Sequence, residues 1–285
     1  MGLMLQPGQP QLYWTLDPLL LATAAVAALL FARAFLRLRR RGRADLAPWS
    51  RVALFACGLS ALVLPLVTPL DPLADHYLLS AHMLEHVLIG DAAPALLLLA
   101  LRGPLLFFFV APDLFPALAH SQPLRRAGSF LLRPRVAVTA WAVVMAAWHV
   151  PAVYDYALGH QAVHDLEHAC FFTVGLLVWW QLIDPAAQHR LSRGQRLGVA
   201  AALFWLGTVL TDVLVFSFRP LYPAYAHQPV RVFGLQPLLD QQLAGIVMMG
   251  EQLLSLGTFC TILLVPVVAA RRRRTPAGVP REQTA

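Results

Sequence analysis

Lysine is missing from this chain: every one of its 22 basic residues is arginine. That absence excludes no function and reads as codon bias. Charge as a whole is scarce, at 13% of residues, where a soluble domain carries about 25%. Cysteine is nearly absent as well. Cys57, Cys170 and Cys260 all fall in apolar stretches and no CxxC pair exists. This argues against a disulfide scaffold or a thiolate metal site and leaves small buried hydrophobes as the expectation. The first charged residue is Asp17, so the positive segment of a cleavable signal is missing. The first apolar run is therefore expected to stay as a helix with its N-terminus outside. There is no GxGxxG, Walker A, GxSxG or HExxH pattern, which removes the common nucleotide and nucleophile motifs. No internal repeat of transporter type is visible.

What the chain has in abundance is apolar length. Hydrophobic residues make up 58% of its 285, and mean hydropathy is +0.62. Several stretches reach the roughly 20 residues that cross a bilayer as a helix. Backbone groups in lipid must be satisfied internally, so helices are expected, and the short alternating segments of a barrel do not occur. The fold class is all-α: a polytopic membrane helix bundle of about seven transmembrane helices, near 15–37, 51–70, 76–101, 133–152, 160–183, 196–217 and 238–268. The segment from Leu105 to His120 is broken by Pro112 and Pro116 and reads as interfacial or re-entrant. Residues 1–270 form one transmembrane domain, and 271–285 an Arg-rich cytoplasmic tail expected to be disordered.

Net charge is +7, but the arginines sit in loops beside apolar segments, so membrane topology explains them and no nucleic-acid partner is expected. Arg37, Arg39, Arg40, Arg41 and Arg43 follow the first span. Arg102, Arg125, Arg126, Arg133 and Arg135 lie between the third and fourth. Arg190, Arg193 and Arg196 lie between the fifth and sixth, and Arg271 to Arg274 follow the last. With an odd number of spans all of these share one side, while Arg219 and Arg231 take the other. The N-terminus is then outside and the C-terminus cytoplasmic.

The histidines have the opposite bias. Of 10, His76, His82, His86, His149, His160, His164, His168 and His227 fall outside, and only His120 and His189 inside. Ionisable residues within a membrane are costly and usually face a bundle interior or cavity, so a polar site is expected in the outer half. His82 and His86 are four apart and share a helix face, about 6 Å apart, and His160, His164 and His168 form a second such stripe. His149 sits where its helix should end before Val150-Pro151. Imidazole suits zinc, copper, iron and nickel. The candidate metal ligands are therefore His82, His86, His149, His164 and His168. Met83, Glu85, Asp91, Asp212 and Asp240 are possible accessories, as soft donors, as acceptors for a ligand's distal N–H, or, for Asp91, as a proton or ion site. Met248 and Met249 lie deeper. Helix-to-helix hydrogen bonding is the bland alternative for all of them. Gly90, Ala93 and Pro94 look like a close-packing face. Trp148, Trp179, Trp180, Tyr154 and Tyr156 look like interfacial aromatics.

Four ordered blocks carry a family resemblance. HMLEHVLIGDAAPALLLLALRGP (His82 to Pro104), WHVPAVYDYALGHQAVHDLEHACFFTVGLLVWW (Trp148 to Trp180), PLYPAYA (Pro220 to Ala226) and DQQLAGIVM (Asp240 to Met248) resemble the caa3-type cytochrome c oxidase assembly factor CtaG family. Asp91, Ala95 and Met249-Gly250-Glu251 depart from its pattern. The resemblance implies a bacterial plasma-membrane protein of the respiratory chain, not an enzyme, whose partners are cytochrome c oxidase subunits and the lipid bilayer. It also implies copper handling in the manner of a chaperone, and the outer histidine cluster read from the residues is where that copper is expected to be held. The residues alone leave three alternatives open: an intramembrane zinc hydrolase with Asp212 or Glu85 as base, a haem-binding carrier, and a cofactor-free scaffold.

Overall fold

The computed structural model describes residues 10–110 and 120–274, with side chains to residue 265. Among the described residues six helices are long and apolar enough to cross a membrane: α1 (Pro18–Arg40), α2 (Trp49–Val67), α4 (Leu79–Ala100), α9 (Gln161–Ile183), α10 (Arg193–Val215) and α12, a helix from Pro237 to Arg274 that is apolar over Pro237–Val265. The seventh expected span is a bent pair. It comprises α6 (Gln122–Leu131) and α7 (Pro134–Trp148), joined at 71°. Alone, α7 has only 15 residues, too few for a 30 Å core at about 1.5 Å per residue. Short helices fill the connections: α3 (Leu70–His76), α5 (Pro104–Phe109), α8 (Pro151–Leu158) and α11 (Pro223–Ala226).

Helix ends follow local chemistry. Asp17 caps α1 by accepting from Leu19 N at 2.7 Å, with Pro18 at the first helical position and Arg37, Arg39 and Arg40 at the negative end of the helix dipole. Ser192 and Gln195 form a reciprocal capping box on α10. The span expected from 76 starts later, because Leu78 is extended and separates α3 from α4. The segment expected from Leu105 begins as α5, packed with Phe31 and Phe35 of α1; its residues 111–119 lie outside the described ones. Arg271 to Arg274, assigned to a disordered tail, continue α12, and residues 275–285 lie outside the described ones.

Large apolar side chains cover the outer surface, and a group of polar residues is buried within an otherwise apolar interior. Leu254, Leu19 and Trp205 are 74%, 72% and 68% exposed, while His82, Glu85, His164 and Glu167 are buried. This is the arrangement of a multi-pass membrane protein. The cysteines depart from expectation: all three are unpaired, but Cys57 is exposed on α2 and Cys170 and Cys260 are only half-buried.

Helices α4 and α9 run parallel at the centre of the bundle and pack closely over the inner part of α4, Leu88 to Ala100. Their first turns meet through histidines, and at the far end Gly103 N donates to Pro185 O at 2.7 Å. Between these points the backbones nearly touch. A Cβ on Gly175 would run into the carbonyl oxygen of Gly90 and stand 2.9 Å from Pro94 Cγ. Pro94 helps to make this possible. It has no N–H to return to the Gly90 carbonyl, and α4 widens there into a π-type turn over Leu88–Ala92, with Ala93 N bonding back to Leu88 O. A Gly175→Ala substitution should therefore overpack the crossing and cost about 1–3 kcal/mol, read as a lower melting midpoint in detergent. An unchanged midpoint would mean the two helices can separate freely.

Candidate metal centre

The bundle brings four imidazoles together. His82 and His86 of α4 and His164 and His168 of α9 each offer a ring nitrogen, all within 4.8 Å of one another. Ring centroids are 4.2 Å apart for His82–His86 and His164–His168, 5.1 Å for His82–His164 and 5.2 Å for His86–His168. The two helices use the same pattern, His-x-x-Glu-His, as HMLEH and HDLEH. It begins three residues after Leu79 in α4 and three after Gln161 in α9. Equal placement on parallel helices gives a reciprocal pairing. Glu85 Oε1 of α4 faces His168 Nε2 at 3.3 Å, and Glu167 Oε1 of α9 faces His86 Nε2 at 3.8 Å.

A third carboxylate comes from outside the spans. Asp75 Oδ1, at the end of α3, stands 3.7 Å from His164 Nε2 and 3.8 Å from His82 Nδ1. Burial, then the neighbouring charges of Asp71 and Asp165, push its carboxyl up to about 7. Tyr225 sets His82. Its hydroxyl is 2.7 Å from Ala74 O, to which it donates, and 3.1 Å from His82 Nδ1. The phenolic oxygen thus accepts from Nδ1–H, and the Nε2 lone pair of His82 turns to the centre, 2.8 Å from His86 Nε2. Tyr154 supports Tyr225 through a 3.1 Å hydroxyl contact.

The cluster is polar and unsatisfied. His164 Nε2, His168 Nε2, Glu167 Oε1, Asp75 Oδ1 and both carboxylate oxygens of Glu85 are buried without a hydrogen bond. Unpaired buried polar atoms are rare and costly. A cation at the focus of these atoms removes that cost, because lone pairs and carboxylate charge are what it requires. The donor set, imidazole nitrogen with carboxylate oxygen, fits copper or zinc.

The other candidates are distributed differently. His149 is not in the group. Phe171 stands between, its ring 4.6 Å from His86 and 6.0 Å from His149. Asp240 is a structural anchor: it caps α4 from α12, accepting from Leu79 N at 2.7 Å and Ser80 N at 3.1 Å. Asp91 lies a helical turn and more below the cluster, accepting from the indole N–H of Trp179 and facing Glu251. Asp212 is half-buried on α10 and outside the four-histidine group. Met83 is fully buried against Tyr154 and Tyr225. Tyr154 and Trp179, expected at the interface, are buried because their polar atoms have partners inside. Sequence reasoning missed Asp75, Glu167 and Tyr225. The repeated His-x-x-Glu-His was the available signal for Glu167.

Because both oxygens of Glu85 are buried without a hydrogen bond and only Oε1 has a neighbour of potential positive charge, His168, Glu85→Gln should raise the stability of metal-free protein by about 1–3 kcal/mol. Thermal melts of chelator-treated parent and variant read this directly, and a lower midpoint in the variant would show that the carboxylate is already compensated.

Uncharacterized protein Mb0105 of Mycobacterium bovis and uncharacterized protein MT0111 of Mycobacterium tuberculosis are each 28% identical over 203 residues, 67% of this chain. The chain spans 29% of the length of these relatives. No solved structure matches. The profile of the cytochrome c oxidase caa3 assembly factor family (Caa3_CtaG) matches residues 29–270 and so takes in both His-x-x-Glu-His helices, and the chain belongs to that family.

Proposed function

We propose that this protein serves the assembly of a haem-copper cytochrome c oxidase of the caa3 type by holding copper at the four-histidine centre and delivering it to the oxidase. The observation that carries the reading is the convergence of four buried imidazoles within 4.8 Å in a chain of the oxidase assembly family. His82, His86, His164 and His168 would hold the ion, and Glu85, Glu167 and Asp75 would balance its charge. The role needs no catalytic group. The protein hands on an ion, so ligands that face it in facing pairs are more useful than a nucleophile. The partners are oxidase subunits and the bilayer, and the location is the bacterial plasma membrane. The arginine asymmetry supports an orientation with the cluster toward the periplasm.

One observation favours a second reading. The order His-x-x-Glu-His on a helix is that of one class of zinc peptidases, in which the glutamate acts on a metal-bound water. An intramembrane zinc hydrolase would use Glu85 or Glu167 so. Haem fits less well, because rings 4.2 to 5.2 Å apart leave no slot for a macrocycle.

Elemental mass spectrometry of protein purified under reducing conditions tests both. Copper in the parent, absent from a His86→Ala/His168→Ala variant, with loss of oxidase activity in cells carrying that variant, is the expected result. Stoichiometric zinc moves the assignment to the hydrolase. Full oxidase activity in the variant rejects a copper-delivery role.

A further inference from the structure

The four-histidine centre poses an access problem. Its rings are between 0% and 8% exposed, yet an ion to be delivered must come and go. A cavity of about 410 Å³ adjoins it, lined by α4, α7, α9, α10 and α12 and partly open to the outside. His86 belongs both to the centre and to the cavity wall. His149 lines the same cavity from the end of α7, on the other side of Phe171. Its Nδ1–H donates to Met145 O at 2.8 Å, which leaves the lone pair on Nε2. That Nε2 is buried and has no hydrogen bond, on a residue only 7% exposed. Three methionines, Met83, Met145 and Met248, line the same cavity. Asp91 and Glu251 line the cavity too, but they are hydrogen-bonded to each other and Asp91 to Trp179. The donors left free there, an unpartnered imidazole nitrogen and three thioethers, are a soft set, which selects Cu(I) over the harder divalent ions.

We infer that this cavity is a soft-donor antechamber through which Cu(I) passes between His149 and the four-histidine centre, with His86 as the receiving ligand. The inference rests on the copper reading above. The transfer is ligand exchange at constant oxidation state. The bond from copper to a thioether or to His149 Nε2 breaks as the bond to His86 forms, and no electron leaves the ion. Soft, weak donors suit such a passage because each holds the ion only until the next is in reach.

The test is the rate of Cu(I) uptake from a coloured Cu(I)–bicinchoninate complex by metal-free protein in detergent, followed by the loss of absorbance, with copper per chain measured at the end point. Two variants are compared with the parent: Met145→Leu/Met248→Leu, which conserves volume, and His149→Gln. The expected result is uptake slowed by about tenfold or more, equivalent to about 1.4 kcal/mol on the barrier, at the parent's final copper content. Unchanged rates in both variants overturn the passage and leave the copper centre standing. A final content that falls with the rate also overturns it, because the donors then belong to the resting site. A parent that takes up no Cu(I) overturns both readings.

Discussion

The close parallel crossing of α4 and α9 is the contact on which the polar interior depends. Two glycines let the backbones meet, and a π-type turn beside Pro94 adjusts α4 at the same level. Widen that crossing and the paired histidines of one helix no longer reach those of the other. The geometry of the site is therefore set well below it, by residues with no chemistry of their own. Asp240 adds a second constraint from α12. It caps the first turn of α4 and so fixes the start of the helix from which His82 and His86 project. A site held by helix ends and helix crossings is more rigid than one carried on loops.

Much of the frame was legible before any coordinates. Hydropathy and proline placed six of the spans to within a few residues, while the fourth, expected at 133–152, begins with α6 at Gln122 and ends at Trp148, ahead of Val150-Pro151. The i, i+4 spacing picked out His82, His86, His164 and His168 because helix geometry is local. What failed was whatever depends on contacts between segments distant in sequence. His149 was grouped with the others because it shares their end of the bundle, and no spacing rule could reveal Phe171 between them. Asp240 looked like an accessory to the site because capping across 161 residues leaves no local mark. Asp75 lay in a connection whose short helix, α3, has too few residues to show a period. Tyr225 looked like part of a loop motif, whereas its hydroxyl orients His82. The bend between α6 and α7 was also hidden, since Pro134 is as compatible with a fresh helix start as with an entire span.

The site and its adjoining cavity divide the donors by character. Nitrogen and carboxylate oxygen gather at the centre. Sulfur and one detached imidazole line the chamber beside it, together with the Asp91–Glu251 pair. Asp91 and Glu251 face each other lower down, bound to the wall by Trp179. The apolar surroundings make each of these groups expensive to leave unpaired, so the placement of every one is constrained more tightly than on a protein surface.

The reciprocal acid–base pairing of α4 and α9 has a consequence for how the chain is made. Each helix carries the carboxylate that faces the other's histidine, so neither has a complete set alone. During synthesis α4 enters the membrane with Glu85, His82 and His86 before Glu167 and His168 exist. It must wait through α6, α7 and α8 for its counterpart. The order of the genetic message thus builds in an interval when the polar half of the site is exposed. Maturation of the site is for that reason a late event of biogenesis, reached only when the two halves of the chain have been inserted and have found each other.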